Sequence, residues 1–387
     1  MYYLKGHPFG AIRQNWLLTV NIIMEYFFVS NAHYFVLAYI FTYLLCILFW
    51  NICQKNKSFG NFIKVILFFF LSIPFSLLCA FRNEDTGWDT HTVINGYLYK
   101  SGEMSEFAFN YLFSYYRSFI YWLSNANVQF YLLSLAIITL SFVFYSILKV
   151  SKNSSIFAYG CLMFMLYLSP LMLNQSRQFI AVGIIMLAFV NLVNDKIALF
   201  VSLILVASLI HESSLIMLPL FFSRYLHKLG MLGNIIILLC IALSFSSLSV
   251  FVGIVNFFTP EKFSYVQEDQ HSSTSGYAWI IDVLPMLYVV FAYFRNKKSL
   301  PFRSDILMLC SLTALPLRLS GYYSYFFMRL SYYGEAVSVI LLVWVLAFLP
   351  KKKRIYYYAG SFVFFLLHWY LDFVIIGIGN VIPYISS

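Results

Sequence analysis

Apolar runs long enough to cross a bilayer follow one another through most of this chain. About 20 mostly apolar residues are needed to span roughly 30 Å of hydrocarbon. The runs at 34–53, 62–81, 128–149, 155–172, 176–193, 231–250, 278–294, 304–322, 325–349 and 355–373 approach or meet that length. Residues 16–30 form a weaker run, interrupted by Asn21 and Glu25. The stretch 197–223 is longer and carries His211-Glu212-Ser213-Ser214 at its middle. Two half-spans with that polar tip facing outward suit it better than one helix, because Lys196, Arg224 and Lys228 then share one side. Backbone in hydrocarbon must satisfy its own hydrogen bonds, which leaves helices as the building element here. The expectation is an all-α polytopic membrane protein with about 11–13 transmembrane helices. Residues 1–387 read as a single integral membrane domain with no detachable soluble part.

Composition agrees. Charged residues make up 10% of the chain, against about 25% in a soluble domain. The N-terminus lacks the compact apolar run and small-residue site of a cleavable signal. The six cysteines (Cys46, Cys53, Cys79, Cys161, Cys240 and Cys310) lie in or at the ends of apolar runs, which makes them packing residues rather than a disulfide or zinc framework. The net charge of +10 follows membrane topology and implies no nucleic acid.

Lys and Arg set the orientation. With the N-terminus and the loops at 54–64, 149–154, 194–196, 224–228, 295–303 and 351–354 inside, 18 of the 25 basic residues face the cytoplasm. Arg82, Lys100, Arg117, Arg177, Lys262, Arg318 and Arg329 remain outside, so Arg dominates there whereas Lys dominates inside. Topogenic charge needs only a cation, but phosphate is gripped best by the planar guanidinium fork. The alternative for any one of these arginines is a snorkelling side chain at a helix end. Two outward segments are long. Residues 82–127 include the aromatic stretch Phe107–Trp122, read as a helix lying in the interface. Residues 251–277 read as a mobile outer loop.

Four constellations carry candidate chemistry. In the first, Gly87 permits a tight turn that brings Arg82 and Asp89 together, with His91 close by; Asp89 is a candidate general base or a partner that orients Arg82. In the second, Asn174, Gln175, Arg177 and Gln178 stand at the start of a membrane helix. A break at Pro170 leaves room there for re-entry, and the helix start favours anions. In the third, His211 sits with Glu212 at the polar tip, where a neutral imidazole can take a proton from a sugar hydroxyl. A hydrogen-bonded core histidine is the plainer alternative. In the fourth, a hairpin presents Arg318 and Arg329 outward with Tyr322, Tyr323, Tyr325, Tyr332 and Tyr333 for sugar stacking, and Glu335 serves as a buried counter-ion. No second His lies at helical spacing from His211 and the sequence shows no compact carboxylate cluster, so no metal is expected. Five arginines can replace a divalent cation.

The stretches Phe81-Arg82 with Gly87-Trp88-Asp89-Thr90, then Asn174-Gln175-Ser176-Arg177-Gln178-Phe179-Ile180-Ala181, then Leu209-Ile210-His211-Glu212-Ser213-Ser214 with Leu218-Pro219, and finally Arg329-Leu330-Ser331-Tyr332-Tyr333 occur in this order. In that order they resemble the EpsG-like branch of the Wzy O-antigen and exopolysaccharide polymerases, over residues 62–350. Where such proteins often carry Gly-Thr-Asp-Tyr, this chain has Gly87-Trp88-Asp89-Thr90. The resemblance implies a membrane glycosyltransferase related to the GT-C superfamily, in the bacterial inner membrane with its active site facing the periplasm. Its substrates would be undecaprenyl-diphosphate-linked oligosaccharides. A growing chain passes to the non-reducing sugar of an incoming lipid-linked unit and undecaprenyl diphosphate leaves, as in lipopolysaccharide or exopolysaccharide biosynthesis. Expected catalytic residues are His211, Asp89, Arg177 and Arg82. Arg318, Arg329, Gln178, Asn174, Tyr332, Tyr333 and Glu212 would bind diphosphate or sugar, with no cofactor. Membrane lipids surround the protein, and a chain-length regulator is a candidate partner. A lipid-linked oligosaccharide flippase and an O-antigen ligase are the alternative functions. A transporter would show two pseudo-symmetric halves, and none is visible in the sequence.

Overall fold

The computed structural model describes residues 30–55, 61–100, 111–226, 278–301, 303–320, 325–382 and 384. They form α1 (His33–Lys55), α2 (Asn61–Phe70), α3 (Ile73–Ala80), α4 (Thr90–Lys100), α5 (Tyr111–Ser124), α6 (Val128–Val150), α7 (Ser154–Asn174), α8 (Ser176–Val193) and α9 (Ile197–Ile210). A 3-10 helix (Glu212–Phe222) follows, then α10 (Ala278–Asn296), α11 (Ser304–Ser320), α12 (Tyr325–Phe348), α13 (Lys351–His368) and a π-helical segment (Trp369–Ile375). Among the described residues, six helices are long and apolar enough to cross a membrane: α1, α6, α7, α8, α12, and α13 with its π-helical extension. The chain is therefore an all-α, multi-pass membrane protein. The expected run at 231–250, residues 16–29 of the run at 16–30, the loop at 251–277, Cys240, Tyr322 and Tyr323 lie outside the described residues.

Burial sorts the spans into an inner and an outer set. Within the bundle, α7 and α12 are 94% buried and α8 is 89% buried. The figure for α1 is 33%, and for α13 with its extension 39%. These spans are apolar over most of their length, as a span must be whether it faces lipid or protein. Neighbours rather than pattern decide which are central. Asparagine caps fix the starts of two of them: Asn127 accepts from the Phe130 N–H at 2.7 Å, and Asn153 from the Ile156 N–H at 2.9 Å. Such caps satisfy donors that a helix start leaves orphaned.

Three boundaries depart from or refine the sequence reading. The run at 62–81 is not one span. It divides into α2 and α3 at Leu71-Ser72, with Pro74 in the first turn of α3, the position where a missing N–H costs nothing. The expected break at Pro170 falls instead at Gln175, because α7 continues through the proline to Asn174 and α8 begins at Ser176. The long run 197–223 does break at His211, which is extended (φ −147°, ψ 106°) between α9 and the 3-10 helix. Fourteen residues of α9 rise about 21 Å, so its C-terminal end stops within the bilayer's depth.

Candidate active site

The turn after α3 begins the site. Gly87 has φ +92°, a conformation that costs an L side chain energy, and a Cβ there would collide with Asn174 Oδ1. Its N–H donates to the Asn380 carbonyl at 2.8 Å, and the Trp88 N–H to the Gly379 carbonyl at 3.2 Å. Asn174 Nδ2 donates to the same Gly379 carbonyl at 2.9 Å. Asn174 is thus clasped between two glycine turns and ties the end of α7 to both. This locks the Gly87 turn in place and aims Asp89, at the start of α4, across the mouth of a cleft.

That cleft holds about 380 Å³, within the range of roughly 300–1,000 Å³ usual for small-molecule sites. Its walls include Asp89, Arg117, Asn174, Gln175, Ser176, Arg177, Gln178, His211 and Arg329, with Phe113, Tyr131 and Leu135 as apolar lining. The start of α8 lines it, so the first backbone N–H groups of an 18-residue helix lie beside Arg177, an arrangement that favours anions. Arg177 lies over the Phe113 ring, 5.7 Å from its centroid. Arg329 Nη2 donates to Asp89 Oδ2 at 2.9 Å, and Gln178 Nε2 donates to the Arg329 carbonyl at 2.7 Å. Three guanidinium groups against one carboxylate leave this wall electropositive. The break after α9 brings His211 into the same space.

Several expected residues stand elsewhere. Arg82 does not meet Asp89. It is 3% exposed, donating through Nε to Thr90 Oγ1 at 3.1 Å and through Nη1 to the Cys79 carbonyl at 3.2 Å. Burial lowers its pKa from the ordinary arginine value, although a guanidinium stays charged. Asp89's ion-pair partner is Arg329, 240 residues away in sequence. Arg318 is also absent from the cleft. It is 4% exposed and clamped by Asp282, with Nη2 at 2.8 Å from Oδ1 and Nε donating to Oδ2 at 3.1 Å; Glu335 lies 3.7 Å away. Tyr332 packs its ring against Arg318 at 5.7 Å and is fully buried. Tyr333 shares a hydrogen bond with Ser213 at 2.9 Å. Glu212 begins the 3-10 helix beside His211 and is not part of the cleft wall. The five-arginine convergence is accordingly corrected to three (Arg117, Arg177 and Arg329), because carboxylate and carbonyl partners hold the other two inside.

Sequence reading missed Tyr131 and Ser176 in the cleft wall. It also missed the compact group of Asp282, His368 and Asp372, whose ligand atoms lie within 4.8 Å of one another, so the expectation of no carboxylate cluster is corrected too. The usable signal was an ionisable residue inside an apolar run.

The chain matches the EpsG family over residues 65–386 and belongs to it. Membership on this all-α, multi-pass scaffold is consistent with a glycosyltransferase-like polysaccharide polymerase of the membrane. No curated protein and no solved structure matches the chain.

Proposed function

We propose that the chain is an O-antigen or exopolysaccharide polymerase that transfers a glycan from undecaprenyl diphosphate to the non-reducing sugar of an incoming lipid-linked unit. One observation carries this: Arg177, Arg117, Arg329 and the start of α8 open into one cleft with His211 and Asp89. The bond between the donor's anomeric carbon and the diphosphate oxygen breaks, and the departing diphosphate keeps the electron pair. The acceptor hydroxyl oxygen forms the new bond to that carbon and gives its proton to His211. Charge develops on the leaving diphosphate, where fixed guanidinium groups and helix N–H groups act most strongly. Asp89, paired to Arg329, orients that arginine. The cleft faces the outer side of the bacterial inner membrane, following the Lys and Arg balance of the loops. The departing charge falls to arginines, so the chemistry requires no divalent cation in the cleft.

A deletion strain complemented with variants tests the reading. The deletion should leave single repeat units on the carrier and no long surface polysaccharide. Arg177→Ala and His211→Ala should reproduce that pattern at normal protein levels. Absence of any repeat unit outside would indicate a flippase, and full-length chains lacking only their attachment to lipid A core would indicate a ligase. EDTA added to an in vitro polymerisation assay should leave turnover unchanged; loss of turnover would overturn the cation-free chemistry.

A further inference from the structure

Away from the cleft, the bundle interior holds a second set of ionisable groups. Asp282 on α10, His368 at the end of α13 and Asp372 in the π-helical segment are all buried, with Arg318 and Glu335 beside them. None of these residues lines the cleft. Their sequence surroundings are apolar, and charge at such depth is expensive unless compensated or used.

Among the described residues the group holds one guanidinium, Arg318, and three carboxylates, Asp282, Glu335 and Asp372, with His368 paired to Asp372. Carboxylates gathered inside an apolar bundle call for cations beside them.

The histidine is set for ligation. His368 Nε2 faces the Tyr167 carbonyl at 3.4 Å, which favours the tautomer with the proton on Nε2 and the lone pair on Nδ1. Nδ1 lies 2.6 Å from Asp372 Oδ2, close enough for both atoms to bind one cation set beside them. Neither Asp372 oxygen has a well-aligned hydrogen bond, although the side chain is 0% exposed. Asp282 completes the group, and Arg318 holds it from the other side, the outer support that metal-ligating carboxylates commonly have. The backbone is specialised at this point as well. The Ile376 N–H donates to the Leu371 carbonyl at 2.8 Å, a π-type bond of a kind frequent at functional sites.

We infer that Asp282, His368 and Asp372 form a buried site for a divalent first-row transition cation that ties α10 to the end of α13. Two carboxylates with an imidazole favour Zn²⁺ or Mn²⁺ over the all-oxygen preference of Mg²⁺ and Ca²⁺. The cation's role is structural. It lies in the packed interior, beyond ready reach of a chelator added to the folded protein, so the site and the cation-free chemistry of the cleft are compatible.

The test uses the full-length protein in detergent, purified through a tag that binds no metal and without chelators. Elemental analysis should find one equivalent of zinc or manganese per chain, in proportion to the folded protein. Asp372→Asn and His368→Gln nearly preserve shape, and each should weaken Zn²⁺ and Mn²⁺ binding by about 10-fold or more. Wild-type protein that is folded, carries no such metal and binds neither ion saturably would overturn the site. So would a folded Asp372→Asn protein retaining the full equivalent. Should either variant fail to fold, the wild-type stoichiometry decides alone. Surface polysaccharide is not part of this readout, so its outcome is independent of the polymerase reading.

Discussion

Arg177 on α8 and Arg318 on α11 are the same residue type in one bundle, yet they are held in opposite ways. Arg318 has Asp282 on two of its nitrogens and Glu335 beside it. Arg177 has an aromatic ring and two further arginines around its cleft. The number of carboxylates within reach therefore assigns the roles. Where they outnumber the guanidinium, its charge is spent on the fold. Where arginines outnumber them, positive potential is left for a ligand.

The largest effect should come from the spent charge. Arg318→Ala leaves Asp282 and Glu335 buried without their cation, and breaking such a pair costs about 3–5 kcal/mol. Thermal or denaturant unfolding in detergent should show this as a lowered midpoint and reduced yield. An unchanged midpoint would erase the contrast between the two arginines. Arg177→Ala should do the reverse. Turnover in proteoliposomes supplied with lipid-linked repeat units should fall about 10²–10³-fold, the usual result of removing one preorganised donor at a developing anion. Its unfolding midpoint should stay near wild type. Arg177→Lys should recover only part of the loss, because an ammonium cannot present the planar fork. Long chains made at the wild-type rate by Arg177→Ala would remove that residue from the mechanism.

The part of this contrast that was legible in sequence is the part written locally. Runs of apolar residues mark the spans, and the polar tip at His211-Glu212 marks the break between α9 and the 3-10 helix. Arg177 beside Gln178 marks the start of α8. Partnership is not local. Asp282 lies 36 residues from Arg318, Asp89 lies 240 from Arg329, and Asn174 reaches Gly379 across 205. Nothing beside Arg82, Arg117, Arg177, Arg318 or Arg329 in the sequence says which of them finds a carboxylate. The marks lay elsewhere, at Asp282 and Asp372. Each interrupts an apolar run, and the expense of doing so was the clue that a buried partner existed.

The Asp89–Arg329 pair lies between the two extremes and should show the smallest effect on stability. Its side chains are 34% and 36% exposed, so water screens the attraction, and exposed pairs contribute about 0.2–1 kcal/mol. A double-mutant cycle with Asp89→Asn and Arg329→Gln should give a coupling in that range from unfolding midpoints. The same cycle read in turnover should give a larger coupling. Under the proposed chemistry Asp89 sets the angle at which Arg329 meets the diphosphate, and a small misplacement of a charged donor costs more at a transition state than in the resting fold. Equal couplings in both readouts would make the pair a fold element like Arg318.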